Sequence, residues 1–478
     1  MKTNPAALAS ALALSAFSAA AQIPNPNVTG PIASTKVPGD PSHNYVFFSS
    51  NRELAVNGYI EEEYFIEGTA NTYTTPTGAT GTILTSNNPY KTRIVVRRPA
   101  DKSRFNGTVL VEWYNVTNGF DAENMWFFSW EHVMRSGYAW VGVSAQKVGV
   151  DRLKSWNPSR YGTLNISSDA VSYDAFSQAG QAIQHPMGID VLGGLNPKTF
   201  IATGESQSAQ RLSIYINSVI PLGNIYDGVL LLSNFGQAIR TDLVVPISKV
   251  LFEWDIQTGE ASVRQPDTSM FHRWEVAGTA HVDHHLRLSR EPLELRDLAG
   301  VSSEANLAPT CTVPAIGSQV PNHYVFDAAI DHLVRWVQKG KQPPASPLFQ
   351  IASFGANGSA VIARDSFGLA QGGIRLSQIE VPMAANVGQN GGPSACARWG
   401  YHLPFDLATL GALYPSHRRY VDAVARVTRD NVRKGFLLAP DALQTIQDAL
   451  STGFGSGKND PDDDRDRLDL ERDPDFHR

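Results

Sequence analysis

The sequence predicts an α/β protein whose mainly parallel sheet is covered by helices on both faces. Apolar runs of strand length alternate with helix-like segments through the middle of the chain, and this alternation is typical of parallel sheets. The runs are apolar at nearly every position, as expected for strands that helices cover on both sides. With 478 residues, of which 42% are hydrophobic, the chain is long and apolar enough to build such a core.

The individual segments follow one another in a regular order. Three strand-like runs rich in β-branched and aromatic residues come first and begin at Tyr59, Lys91 and Gly107. Helices and buried strands then alternate, in the order DAENMWFFSWEHVMRSG (helix), YAWVGVSAQ (strand), YDAFSQAGQAIQH (helix), TFIATG (strand), SQSAQRLSIYINSVI (helix), and the strands YDGVLLLSN, PISKVLFEWD and MFHRWEVAGTAH. Because ligands bind such sheets at the carboxyl ends of the strands, residues that directly follow a strand are the first candidates for a functional site.

Composition divides the chain into four regions. Residues 1–21 are predicted to be a signal peptide, and residues 22–340 to form the sheet domain, which ends with the helix VFDAAIDHLVRWVQKG. Residues 341–453 contain a Gly-rich stretch with short strands and several helices, and we expect a mixed α/β extension packed over the site. Residues 454–478 are polar, charged and poor in apolar side chains, which predicts a disordered tail.

The N-terminal segment MKTNPAALASALALSAFSAAAQ has the features of a secretory signal peptide. Lys2 precedes a short apolar stretch, and Ala19 and Ala21 form an A-x-A pattern that predicts cleavage after Ala21. The protein is therefore expected outside the cell or in a periplasm. No later segment approaches the ~20 unbroken apolar residues of a membrane span. In an oxidising compartment, Cys311 and Cys396 are candidates for one disulfide.

Patterns for N-glycosylation matter only where the host glycosylates. They begin at Asn27, Asn106, Asn115, Asn165 and Asn357. Asn115 is the least credible glycan site of the five, because it lies close to a predicted strand end.

The charge pattern argues against a nucleic-acid or anionic-membrane partner. The formal net charge is −6, and the segment from Lys458 to Arg478 carries nine acidic and five basic residues, so the rest of the chain is close to neutral. Partners of that kind need a concentrated basic surface. We therefore expect a small-molecule partner, while the oligomeric state stays open.

The segment TGESQSA places Ser206 between a predicted strand and a predicted helix. A serine on a sharp strand-to-helix turn is exposed above the sheet, and the residues two before and two after it must be small. Gly204 and Ser208 meet this requirement, although glycine is the usual residue at the later position. The pattern alone is weak, since a serine here also serves as a helix N-cap.

The order of two further residues strengthens the assignment. In hydrolases with such a turn, an acid and then a histidine follow the serine, each after a later strand. Asp255 and Glu253 stand at the end of the run PISKVLFEWD, and His281 follows MFHRWEVAGTA. The sequence thus predicts the triad Ser206, Asp255 and His281, with Glu253 as the alternative acid on the same side of the strand. His402, in WGYHLPFD, is a more distant candidate for the base.

Six segments between about Val111 and Tyr414 carry a family resemblance. They are VEWYNV, ATGESQSAQRL, FEWD, RQPD, WEVAGTAH and PFDLATLGALY. With them the sequence resembles the α/β-hydrolases and is similar to a secreted, largely uncharacterised group, the "alpha/beta hydrolase domain" family, in its G-x-S-x-S form of the nucleophile elbow. The resemblance implies the α/β-hydrolase fold, a catalytic domain over residues 22–340, and an acid nine positions after Pro246, which is Asp255.

The oxyanion hole of such an enzyme uses two backbone N–H groups. One belongs to the residue after the nucleophile, Gln207, and the other to the loop after an early strand, here near Val116. Glu205 is expected to hydrogen-bond within the site, with a position facing solvent as the alternative. The aromatic residues that are candidates for an apolar pocket, with a core position as the alternative, are Trp113, Tyr114, Trp126, Phe127, Phe128 and Trp130.

The function that these residues imply is hydrolysis of a carboxylic ester through an acyl-enzyme, with no cofactor and no metal. A lactone or a thioester would suit the same triad. A metal-dependent hydrolase that uses His281, Asp283, His284 and His285 is an alternative, although the sequence contains no H-E-x-x-H motif. A catalytically silent binding protein of the same fold is a further alternative.

Overall fold

Nine strands form the central sheet in the computed structural model, which describes residues 23–298, 300, 304–315, 317–356 and 358–453. The strands are β1 (Asn27–Thr29), β2 (Tyr59–Tyr73), β3 (Ile83–Pro99), β4 (Thr108–Trp113), β5 (Ala139–Val143), β6 (Thr199–Glu205), β7 (Gly228–Leu232), β8 (Ile247–Leu251) and β9 (Phe271–Glu275). Their order is β1-β2-β3-β5-β4-β6-β7-β8-β9. The pairs from β5 to β9 are parallel and those from β1 to β5 are antiparallel, which confirms the mainly parallel sheet.

The helices connect and cover these strands. They are α1 (Asn124–Arg135), α2 (Lys147–Trp156), α3 (Pro158–Tyr161), α4 (Ser172–Gln184), α5 (Gln207–Ile214), α6 (Glu253–Asp255), α7 (His284–Leu298), α8 (Glu304–Leu307), α9 (Asn322–Lys339), α10 (Ser377–Glu380), α11 (Ser394–Trp399), α12 (Leu407–Leu413), α13 (His417–Lys434) and α14 (Ala439–Ser451). Single 3-10 or π turns lie at Lys102–Arg104, Asp169–Val171, Tyr215–Val219, Ile220–Leu222, Ile256–Glu260 and Ala308–Thr310. Among the described helices, none is long and apolar enough to cross a membrane.

The core lies between the sheet and two groups of helices, as the fold class requires. Helices α1 and α9 contact each other and the parallel strands, while α5 packs on β4, β6 and β7. Strands β4 to β9 are buried along their whole length, which explains why their sequences are apolar rather than alternating. This packing fixes the carboxyl ends of β6, β7, β8 and β9 at one edge of the sheet.

The chain after α9 forms the mixed α/β extension. It contains the antiparallel pairs β10 (Ile351–Phe354) with β11 (Ala360–Ile362) and β12 (Ala384–Val387) with β13 (Tyr401–Pro404). The side chains of its own apolar cluster are Val381, Leu410, Tyr414, Tyr420, Val421, Val424 and Ala449. The division at residue 340 stays a prediction.

Two connections tie the extension to the sheet region. Ile374 forms a parallel bridge with Val276, one residue beyond β9. The disulfide between Cys311 and Cys396 joins α11 to the segment before α9. The signal peptide of residues 1–21, the tail of residues 454–478 and the glycosylation pattern at Asn357 lie outside the described residues.

Candidate active site

Ser206 occupies the turn between β6 and α5 in a backbone conformation that is rare for a residue with a side chain. Its φ is 57° and its ψ is −117°. The Ser206 N–H donates to the carbonyl of Leu232 at 3.0 Å, and its own carbonyl accepts from Gln210 N–H at 2.9 Å. The helix therefore begins at Gln207, and Ser206 stands at its N-cap position with its hydroxyl directed elsewhere.

The residues that flank the turn explain the G-x-S-x-S pattern. A Cβ atom on Gly204 would lie 3.0 Å from both Leu212 Cδ1 and Ser208 Oγ, so a side chain there would crowd the helix. The Ser208 hydroxyl donates to the Glu205 carbonyl at 2.9 Å and accepts from the Glu205 N–H at 3.0 Å. Serine at the later position thus fits the turn and adds two hydrogen bonds that glycine lacks.

The three predicted triad side chains form a continuous chain of short contacts. Ser206 Oγ lies 2.8 Å from His281 Nε2, and His281 Nδ1 lies 3.1 Å from Asp255 Oδ1. Asp255 is fully buried, and its Oδ2 also accepts from the Phe252 N–H at 2.8 Å. The carboxylate is therefore held firmly beside the Nδ1 side of the ring.

Ser233 is a further member of this chain, and it was not among the predicted residues. It follows β7 with φ 52°, and its Oγ lies 2.8 Å and 3.0 Å from the two carboxylate oxygens of Asp255. The same Oγ lies 2.6 Å from His281 Nδ1. A hydroxyl there accepts from Nδ1–H and donates to the carboxylate, which leaves Nε2 as the acceptor for Ser206. Its place directly after a strand was the available signal.

The alternative acid, Glu253, is used elsewhere, and the expectation that it shares a side with Asp255 is wrong. Strand β8 ends at Leu251, so the two carboxylates lie on the helical turn α6, where residues two apart point in different directions. Glu253 Oε1 accepts from the Gly278 N–H at 2.7 Å, and its Oε2 pairs with Arg364 at 2.7 Å. Oε2 also accepts from the Gly388 N–H at 3.1 Å. Glu253 thus links α6 to the extension.

The residues that carry the two predicted oxyanion donors contact each other. Gln207 is the first residue of α5, and the first N–H groups of a helix lack carbonyl partners within it. The Val116 N–H donates to the side-chain Oε1 of Gln207 over a long 3.4 Å. The Gln207 carboxamide also donates to Gln146 Oε1 at 3.0 Å. An oxyanion at this position would compete with that carboxamide oxygen for the Val116 amide.

Glu205 is buried between the nucleophile turn and two asparagines. Its Oε2 accepts from Asn124 Nδ2 at 2.6 Å and from Asn115 Nδ2 at 3.2 Å, and its Oε1 lies 3.7 Å from His281 Nε2. Burial raises the pKa of the Glu205 carboxyl, although His281 and Asn124 oppose the shift. Because Asn115 is buried and bonded here, a glycan on it is incompatible with this fold.

A cavity of about 330 Å³ opens onto Ser206 and His281. Its aromatic walls are Phe120 and Trp399 rather than the aromatic residues considered from the sequence. Five of those residues belong to the core, where Trp113 and Phe128, for example, are fully buried, and Trp130 is partly buried against it. The extension reaches the cavity through α11, which contributes Arg398 and Trp399.

The cluster considered for a metal does not converge on one point. His281 faces Ser206, whereas Asp283 accepts from the Leu286 N–H at 2.8 Å at the start of α7. The His285 ring stacks on that of His323 with centroids 3.7 Å apart. Within the described ranges, no group of three or more His, Cys, Asp or Glu side chains is arranged to hold a metal ion.

His402 Nδ1 pairs with Asn386 Oδ1 at 2.9 Å and does not line the Ser206 cavity.

Comparison with known proteins gives one match that covers most of the chain. The model of a family described as "Alpha/beta hydrolase domain" matches residues 28–447. Among the curated proteins, none matches the chain.

Solved structures of esterases resemble parts of the chain. Two structures of esterase Est22 are 11% and 13% identical to it, with TM-scores of 0.27 and 0.32. These matches cover 43% and 52% of this chain and 66% and 82% of the Est22 chains. The rice cell wall degrading esterase LipA from Xanthomonas oryzae is 14% identical, with a TM-score of 0.23, over 37% of this chain and 43% of its own. A putative carboxylesterase from Lactobacillus plantarum is 10% identical, with a TM-score of 0.26, over 41% of this chain and 79% of its own.

Proposed function

The chain belongs to the alpha/beta hydrolase domain family, and from that premise we propose that it is a serine hydrolase that cleaves carboxylic esters. The observation that carries the proposal is the contact chain at the cavity, in which Ser206 Oγ, His281 and Asp255 follow one another at 2.8 Å and 3.1 Å. A serine hydroxyl becomes a nucleophile when a base lies within hydrogen-bond distance. Residues in strained backbone conformations, such as the one that Ser206 adopts, cluster at active sites.

In the proposed reaction, acyl transfer to Ser206 comes first. His281 Nε2 takes the Ser206 proton while Oγ attacks the ester carbonyl carbon, and the N–H groups of Gln207 and Val116 stabilise the resulting oxyanion. The C–O bond to the alcohol then breaks, and the proton on Nε2 passes to the departing alkoxide. Esters suit this sequence because their leaving group needs only that proton.

Water completes the proposed cycle by the same route in reverse. His281 takes a proton from water, the hydroxide attacks the acyl-enzyme, and the acid leaves as Ser206 regains its proton. Asp255 and Ser233 hold Nδ1–H throughout and stabilise the imidazolium that forms during the reaction. The sequence of steps needs no cofactor.

Covalent labelling with a fluorophosphonate tests the proposal directly. We expect one phosphonylated residue, Ser206, by mass spectrometry, together with hydrolysis of 4-nitrophenyl acetate that EDTA does not reduce. Ser206→Ala should lose both. Ser262→Ala is the matched control, since Ser262 does not line the cavity and its hydroxyl donates to the Gly259 carbonyl. Hydrolysis by an unlabelled wild-type protein would contradict the mechanism, and loss of activity to EDTA would favour a metal hydrolase.

We propose further that the protein is secreted. The N-terminal pattern up to Ala21 supports the proposal, as does the disulfide between Cys311 and Cys396, since disulfides persist in oxidising compartments. N-terminal sequencing of protein recovered from its native host should begin at Gln22, and recovery of protein that still starts at Met1 would contradict it.

A further inference from the structure

Arg398 brings a positive charge to the wall of the Ser206 cavity. In the part of the chain that the structure describes, no carboxylate pairs with its guanidinium, and its buried Nε has no hydrogen-bond partner. A buried polar atom without a partner costs free energy in the unliganded protein, so it calls for a ligand or another explanation.

Each of the other charged groups among the described lining residues lies beside an opposite charge or accepts hydrogen bonds. Arg290 Nε pairs with Glu294 Oε1 at 3.0 Å, and both side chains lie on α7. Glu205 accepts two amide N–H groups from Asn115 and Asn124, and burial raises its pKa, which favours its neutral form. Among the cavity-lining residues that the structure describes, Arg398 is therefore the arginine with no carboxylate beside it, and it is left to a bound molecule.

The backbone of Arg398 is fixed relative to His281, the proposed base. Its backbone carbonyl accepts from the Val282 N–H at 2.9 Å, and Val282 is the neighbour of His281. The disulfide at Cys396 and the Arg287 guanidinium, which lies 4.0 Å from the ring centroid of Trp399, hold the same short helix α11. These contacts fix the backbone that carries Arg398, so the guanidinium starts from a fixed point on the cavity wall.

We propose that Arg398 binds a free carboxylate on the substrate, so that the preferred substrates are esters that carry a second, anionic carboxylate. The planar guanidinium matches a carboxylate with two parallel N–H···O bonds. The inference rests on the proposed ester hydrolysis and adds the substrate class to it. The carboxylate belongs to either the acyl or the alcohol half.

Paired substrates that differ only in that charge distinguish the two halves. For the acyl half we compare mono-4-nitrophenyl glutarate with its methyl ester. For the alcohol half we compare 4-acetoxybenzoate with methyl 4-acetoxybenzoate. For each pair, kcat/KM of the anionic substrate is divided by kcat/KM of its methyl ester. This ratio is compared between the wild type and Arg398→Gln, so that differences in intrinsic reactivity between the substrates cancel.

We expect Arg398→Gln to lower kcat/KM for the anionic member of one pair about 10- to 100-fold more than for its methyl ester, as loss of a charged hydrogen bond predicts. Arg398→Lys should retain part of the preference, because lysine keeps the charge but not the planar fork. Arg419→Gln, an exposed arginine of α13 in the same extension, should leave the preference unchanged. Equal losses for both members of both pairs would overturn the inference while ester hydrolysis stands.

Binding of glutarate, measured by calorimetry on the whole protein, keeps the inference testable without turnover. Wild-type protein should bind glutarate, and Arg398→Gln should bind it at least about 10-fold more weakly. A fluorophosphonate-inert protein that binds glutarate through Arg398 would refute the proposed function and retain the carboxylate site. Glutarate affinity that does not change in Arg398→Gln, or no binding to the wild type, would overturn the site.

Discussion

Replacing Asp255 and Glu253 one at a time is expected to separate catalysis from stability. Asp255→Asn keeps the shape of the side chain but leaves one acceptor oxygen where Asp255 now meets the Phe252 N–H, Ser233 and His281. The amide N–H₂ cannot accept from Nδ1–H, so the ring loses the tautomer that leaves Nε2 free. We expect kcat to fall about 10³- to 10⁴-fold, as in serine hydrolases that lose this carboxylate, with little change in the free energy of unfolding.

Glu253→Gln should do the reverse. The Glu253 side chain is fully buried, and the side chain of its partner Arg364 is 26% exposed. Breaking a buried pair costs about 3–5 kcal/mol, and the partial exposure of Arg364 places this one near 3 kcal/mol. With an unfolding entropy of about 2 cal/mol/K per residue, 3 kcal/mol lowers the Tm of a 478-residue chain by about 3 °C. We expect kcat within about 3-fold of the wild type.

The assays are 4-nitrophenyl acetate turnover and urea or thermal unfolding of each variant. Arg364→Gln and the double variant Glu253→Gln/Arg364→Gln serve as controls. If the ion pair is the cause, the double variant should be less destabilised than the sum of the two single variants. A Glu253→Gln variant that loses 10³-fold in kcat, together with an Asp255→Asn variant that stays active, would refute the assignment of the two carboxylates.

Two further predictions concern residues around the same edge of the sheet. Ser233→Ala removes the hydroxyl between Asp255 and His281, so we expect kcat to fall about 10-fold at constant KM, as for one lost hydrogen bond near a charged group; a change in KM alone would contradict this role. Burial raises the pKa of the Asp283 carboxyl to about 7. The unfolded chain releases this proton at about pH 4, whereas the folded protein keeps it up to about pH 7. The free energy of unfolding therefore falls as the pH rises from about 4 to 7. Asp283→Asn keeps the acceptor for Leu286 without titrating, and urea unfolding should show it gaining about 2 kcal/mol relative to the wild type between pH 5 and pH 7; a constant difference would contradict the shift.

The fold and the serine turn were predictable because each rests on local rules. Fully apolar strands that alternate with helices indicate a covered parallel sheet, and small residues around Ser206 indicate the turn. The order of Ser206, Asp255 and His281 along the chain then placed them at one edge of the sheet. These signals depend on residue type and spacing, which the sequence states directly.

The contacts that distinguish similar residues were not predictable. Asp255 and Glu253 differ in role because β8 ends at Leu251 and the next residues turn into a helix, and element ends are poorly marked in sequence. Ser233 and Arg364 take part through contacts with residues 22 and 111 positions away. The lining of the cavity also depends on α11, whose position in space no local pattern indicates.

The extension is best understood as part of the active-site structure. Each of the two loops that follow β8 and β9 has a hydrogen bond to it, through Glu253 with Arg364 in the first and Val282 with Arg398 in the second. The first loop carries Asp255 and the second carries His281, so the extension supports both loops at once, and loss of both contacts should matter more than loss of either. It also supplies the Arg398 charge in the cavity. Truncation before Arg364 should therefore reduce catalysis as well as substrate preference, since the same contacts that shape the cavity hold the acid and the base.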